Sequence, residues 1–155
     1  MRNTNSQITP TGLNILLVDD VPDGTIARKS ILMGLGYGVK TAESGAGALE
    51  ILASESFDLM VTDYMMPGMN GIELIRVTQE KYPAMKTVML SRTAETLGFT
   101  AEFTGADAIL PKGGNEAGQL ERTIKKLLAK KPARKPVRRA ERAPKNPPKF
   151  MVQSS

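Results

Sequence analysis

Five side chains of three chemical kinds each follow a short apolar run. They are the carboxylates Asp19 and Asp20 after Ile15-Leu16-Leu17-Val18, Asp63 after Leu59-Met60-Val61-Thr62, the Ser91 hydroxyl after Val88-Met89-Leu90, and the Lys112 ammonium after Ile109-Leu110-Pro111. Three carboxylates brought to one place repel one another and hold protons more tightly. A hard divalent cation relieves that repulsion, and magnesium binds carboxylates together with carbonyls, waters and phosphate oxygens. The chain has no His and no Cys, so an oxygen-only site suited to magnesium or manganese is what remains. Lys112 offers a point charge for a phosphoryl oxygen, and Ser91 a hydrogen bond for another. A carboxylate, a metal, an ammonium and a hydroxyl are together the parts needed to transfer a phosphoryl group onto an aspartate.

These residues meet only if the elements before them lie side by side. Asn14 to Asp19 is a buried strand, and Pro22 then suits a first helical turn, with Ile26, Ile31, Leu32 and Leu35 at helical spacing and Gly36 as a left-handed stop. Tyr37 to Ala42 is a shorter strand. Ser44 caps a helix carrying Ala46, Leu49, Ile51 and Leu52. Phe57 to Thr62 is the third strand, followed by the turn cluster Pro67-Gly68-Met69-Asn70-Gly71 and a helix with Ile72, Leu74, Ile75 and Val77 that stops near Tyr82-Pro83. Thr87 to Leu90 is the fourth strand. A weaker helix with Leu97 and Phe103 closes at Gly105, and Ala108 to Leu110 is the fifth strand. Asn115 opens a last helix with Leu120, Ile124, Leu127 and Leu128 on its inner face. This α/β alternation predicts a five-stranded parallel sheet with helices on both faces. Right-handed crossovers bring every strand's C-terminal end to one edge, where such sheets place their sites. Nothing comparable follows the second strand, as suits an outer strand.

The rest of the composition narrows the class. At 155 residues, 41% hydrophobic and 24% charged, the chain has material for one globular domain. Without Cys there is no disulfide or thiolate chemistry, and without His there is no imidazole base, imidazole metal site or phosphohistidine acceptor. No apolar run approaches the ~20 residues of a membrane span, and the polar start has no signal-peptide core, so a cytoplasmic protein is expected. The net charge of +5 conceals two parts: residues 1–128 hold 12 Lys+Arg against 15 Asp+Glu, and residues 129–155 hold nine against one. The basic part is also rich in Pro and poor in apolar residues, so burial does not offset its ordering entropy. The expected organisation is a disordered leader over 1–12, a folded domain over 13–129 and a disordered basic tail over 130–155.

The segments Ile15-Leu16-Leu17-Val18-Asp19-Asp20, Val61-Thr62-Asp63-Tyr64-Met65-Met66-Pro67-Gly68-Met69-Asn70-Gly71, Leu90-Ser91 and Leu110-Pro111-Lys112 together resemble the receiver domain of two-component response regulators, the CheY-like family. The resemblance covers about 13–129. It implies a flavodoxin-like strand order 2-1-3-4-5, with Asp63 accepting phosphate from the phosphohistidine of a histidine kinase or phosphotransfer protein. It implies magnesium on Asp19, Asp20, Asp63 and the backbone carbonyl of Met65, Ser91 as the switch hydroxyl, and Lys112 as the family's lysine. The chain is then expected to be a single-domain regulator rather than an enzyme, with only magnesium-dependent self-phosphorylation and slow self-dephosphorylation, and to signal through a protein contact. It departs from the family pattern at Arg92, where a small residue is usual, at Ile109, where the switch aromatic is usual, and at Gly113, where proline often follows the lysine.

Plainer readings exist for each part. Alone, Asp19-Asp20 ahead of Pro22 is a turn and helix cap, and Lys112 a solvated surface lysine. Their joint placement at strand ends carries the stronger reading. Met60, Met65, Met66 and Met69 fill core and loop rather than bind a soft metal. Gly45, Gly47, Gly68 and Gly71 do not form a dinucleotide fingerprint. A small-phosphate hydrolase could use the same acids, but no general base stands beside Asp63. The basic tail fits sequence-independent nucleic-acid contact, an anionic membrane or acidic protein surface, or a solubilising extension. A nucleic-acid or acidic-surface binder regulated by the receiver is therefore the alternative function.

Overall fold

The computed structural model describes residues 11–92 and 98–129. The expected basic tail, Leu97 and most of the expected leader lie outside the described residues. The strands are β1 (Asn14–Val18), β2 (Gly38–Ala42), β3 (Leu59–Asp63), β4 (Lys86–Ser91) and β5 (Ala108–Pro111). The helices among the described residues are α1 (Pro22–Gly34), α2 (Gly45–Ser54), α3 (Gly71–Lys81), the single-turn α4 (Ala101–Thr104) and α5 (Glu116–Ala129). All strand pairs are parallel, in the order β2-β1-β3-β4-β5. The expected sheet is therefore the observed one, with β2 at an edge.

Strand alternation splits the core into two layers. Ile15, Leu17, Leu59, Val61, Val88 and Leu90 face one side, where Leu32 of α1 and Leu120, Ile124 and Leu128 of α5 cover them. Leu16, Val18, Met60 and Met89 face the other, beneath Ala48 and Leu52 of α2 and Leu74 and Ile75 of α3. Strands buried on both faces read as unbroken apolar runs, which is why the sequence marks them so clearly. None of the described helices is long and apolar enough to cross a membrane.

Local signals start and stop the helices. Pro22 occupies the first turn of α1 with Asp23 beside it, where a missing N–H costs nothing and negative charge meets the positive helix end. Gly36 beyond its end has φ 100, a conformation that a side chain would oppose. The Ser44 hydroxyl accepts from the Gly47 N–H at the start of α2. Asn70 and Glu73 exchange hydrogen bonds at the start of α3, each accepting from the other's backbone N–H at 2.9 Å.

Helix α1 is turned differently from what its isoleucines imply. Its inner face is Thr25, Arg28 and Leu32, whereas Ile26 is 66% exposed and Ile31 and Met33 also face solvent. Helical spacing shows that a helix is present but does not fix its rotation. Here the rotation is set by Leu32 in the core and by two ion pairs made by Arg28, described below.

Candidate functional site

The register of the sheet assembles the site. Val18 pairs with Thr62, so Asp19 and Asp63 emerge from adjacent strands at the same edge. Asp63 is opposite Leu90 on β4, and Ser91 is opposite Pro111 on β5. Lys112 thus starts two strands from Asp63 and reaches back across the end of β4. Its Nζ lies 3.0 Å from Asp63 Oδ2 and 3.6 Å from Asp19 Oδ2. One carboxylate oxygen from each of Asp19, Asp20 and Asp63 lies within 4.8 Å of the others, and Asp20 is the most exposed of the three. The donor set is all oxygen, and the Lys112 ammonium supplies one positive charge against three negative ones, so the residues present fit a hard divalent cation.

The two inner acids are held by several partners. Asp19 is 3% exposed, and its Oδ1 accepts from the Val21 N–H at 2.9 Å. Asp63 is 6% exposed, and its Oδ1 accepts from the Tyr64 N–H at 3.0 Å. Burial pushes the Asp63 carboxyl above the usual carboxylate range. Lys112 opposes that rise without cancelling it, and the charge of Asp19 adds to it. Ser91 is buried at the end of β4, and its carbonyl accepts from the Lys112 N–H at 3.3 Å. Met65, expected to offer its carbonyl, stands two residues past Asp63 with its side chain exposed, while Met60 and Met66 are buried. Arg92 is exposed, and Ile109 is partly buried against the core. Position 109 carries no ring, whereas Tyr64, directly after Asp63, does. Tyr64 meets Phe99 edge-on at 4.9 Å, and Phe99 stacks on Phe103 at 6.0 Å.

Two charged residues of this neighbourhood escaped the sequence reading. Arg28 of α1 donates from Nη1 to Asp19 Oδ2 at 2.8 Å and from Nε to Glu116 Oε2 of α5. Burial works against the arginine's charge, but Glu116 and Asp19 outweigh it and hold its pKa above the ordinary value. Burial would likewise raise Glu116, yet the bonds from Arg28 and from the Gly113 N–H bring its carboxyl below the usual range. The available signal was the spacing of Arg28 four residues before Leu32, which places both on one helix face.

A doubly covered parallel sheet carries this acidic cluster and lysine at its C-terminal edge, and comparison with known proteins identifies the class. Residues 15–125 match the family described as response regulator receiver domain, and the chain belongs to that family. Among curated relatives, it is 33% identical over 103 residues to the aerobic respiration control sensor protein ArcB of Escherichia coli, covering 64% of this chain and 13% of that protein. It is 34% identical over 102 residues to the E. coli transcriptional regulatory protein CpxR, covering 66% of this chain and 44% of that protein. The chain therefore spans less than half the length of these relatives. The response regulator TrrA of Thermotoga maritima, solved in complex with Mg2+-BeF, superposes with a TM-score of 0.67 at 31% identity, covering 74% of this chain and 98% of that one. TrrA is also solved in complex with the histidine kinase ThkA, with a TM-score of 0.67 at 32% identity, covering 75% of this chain and 98% of that one.

Proposed function

We propose that this chain is a phosphoacceptor in a two-component relay. Asp63 takes a phosphoryl group from the phosphohistidine of a histidine kinase or phosphotransfer protein in the cytoplasm, and the altered receiver surface is then read by a protein partner. The observation that carries the reading is the reach of Lys112 to Asp63 within a cluster of three carboxylates. The TrrA structures with Mg2+-BeF and with ThkA support it by likeness.

In the transfer, an Asp63 carboxylate oxygen attacks phosphorus in line while the P–N bond breaks, and the imidazole of the donor keeps the electron pair. Asp19, Asp20 and Asp63, with the Met65 carbonyl implied by the family pattern, would hold a magnesium ion that supplies positive charge against the phosphoryl oxygens. Lys112 neutralises the carboxylate before transfer and a phosphoryl oxygen after it, and the Ser91 hydroxyl donates to another oxygen. Reversal by water breaks the new P–O bond and releases phosphate. That loss is slow in this reading, and the chain acts as a phosphoacceptor rather than a turnover enzyme.

The test uses the full chain with acetyl phosphate. With magnesium, intact mass should show the gain of one phosphoryl group, lost over time and prevented by a chelator. Absence of labelling contradicts the proposal, as does release of many equivalents of phosphate from a phosphate ester, which would indicate a hydrolase.

A further inference from the structure

Arg28 is a buried cation at this site to which the phosphoacceptor reading gives no role. It is 9% exposed, yet it is shared between two acids on different elements: Asp19 at the end of β1 and Glu116 in the first turn of α5. A guanidinium does not lose its proton, so this positive charge is permanent. It lies against the Asp19 oxygen that also faces Lys112 at 3.6 Å. Glu116 has a second tie, because its Oε1 accepts from the Gly113 N–H at 2.9 Å, directly after Lys112. The same arginine and glutamate, with Leu32 and Leu120, line a groove between α1 and α5.

We propose that Arg28 is a resident counter-cation of Asp19 for which Glu116 competes, so that this pair sets how tightly the acidic cluster takes a divalent cation. The proposal deepens the phosphoacceptor reading and rests on it. A positive charge held against Asp19 opposes an incoming cation by repulsion and by occupying a carboxylate oxygen. Glu116 draws Arg28 the other way and so favours the cation. Arg28 is thus a positioning residue, acting through Asp19, and the two members of the pair should act in opposite directions. A purely structural role predicts the same direction for both, since losing either end of the bridge would loosen α1 against α5.

Magnesium titration of the full chain, followed by backbone amide shifts, separates these outcomes. Arg28→Met keeps a long apolar stem in the groove and should tighten magnesium binding by about tenfold at low salt, the effect of one unit charge a few ångströms from the ion. Glu116→Gln leaves Arg28 to Asp19 and should weaken binding by about threefold. Lys29→Met, the same charge change one residue along the helix, should stay within about twofold. Unchanged or weaker binding in Arg28→Met overturns the proposal, and so does an equal gain in Lys29→Met. If Arg28→Met does not give the dispersed spectrum of a folded chain, Glu116→Gln decides: unchanged or tighter binding overturns the proposal. Wild-type protein that takes up no magnesium overturns the metal site and this proposal together, whereas wild-type binding with both variants unchanged overturns only the role of Arg28.

Discussion

Asp63→Asn should abolish phosphoryl uptake from acetyl phosphate and, at neutral pH without metal, should raise the melting temperature. The first effect is the loss of the nucleophile: an amide in place of the carboxylate has no oxygen able to form the acyl phosphate. The second follows from the electrostatics of the cluster. Burial, offset only partly by Lys112, makes the Asp63 carboxyl hold its proton more tightly in the folded chain than in the unfolded one. An acid whose pKa is raised on folding destabilises the folded state above that pKa, and the penalty is relieved as the pH falls through it. Asparagine is neutral throughout. Its stability advantage should therefore be largest at neutral pH and should shrink as acid protonates the wild-type carboxyl. Added magnesium should stabilise wild type more than the variant, because a ligand that binds only the folded state raises its stability. Single labelling that persists in the variant, or a variant less stable than wild type at neutral pH, would count against this account of Asp63.

Gly71→Ala should damage both stability and the site, by about 1–3 kcal/mol of overpacking. Gly71 opens α3, and its N–H donates to the Tyr64 carbonyl at 2.9 Å. A Cβ there would lie 3.0 Å from the Tyr64 Cα and inside contact distance of the Asp63 carbonyl oxygen. Both are backbone atoms, and the Asp63 carbonyl already accepts from the buried Thr62 hydroxyl at 3.0 Å. No side-chain rotation relieves the clash, so α3 and the end of β3 must move apart and carry Asp63 away from Lys112. Labelling should slow along with the loss of stability. Gly34→Ala is the matched control, since a Cβ there meets nothing within 4 Å. It should be neutral or slightly stabilising, as expected for alanine at a helical position. A Gly71→Ala protein that melts and labels like wild type would show that the close approach is not required.

The parts of the molecule that were legible in the sequence are those in which local pattern and tertiary role coincide. β1, β3 and β4 are buried on both faces, so each is a continuous apolar run, and the acid or hydroxyl that ends the run is at the functional edge by the topology of a parallel sheet. Asp19, Asp20, Asp63 and Lys112 were found because position along the strand fixes position in the site. Ser44 announces a helix start through its hydrogen bond to the residue three further on, whereas Asn70, which caps α3 in the same way, read in the sequence only as part of a turn cluster. Arg28 and Glu116 were not legible, because their meaning depends on how α1 is rotated and on its packing against α5, neither of which a helical period specifies. Ile26 illustrates the same limit from the apolar side. It belongs to the periodic pattern but sits outside the core, because the Arg28 ion pairs and Leu32 turn the helix the other way.

The central claim is that the carboxylate of Asp63, in the cup formed with Asp19, Asp20 and Lys112, is where the phosphoryl group goes. Borohydride trapping tests it most directly, because hydride reduces an acyl phosphate to the corresponding alcohol and leaves a free carboxylate unchanged. Protein labelled with acetyl phosphate and magnesium, reduced and mapped by peptide mass, should carry homoserine at position 63 alone. Reduction at position 19 or 20 instead, or a borohydride-resistant phosphate on Ser91, would contradict the account.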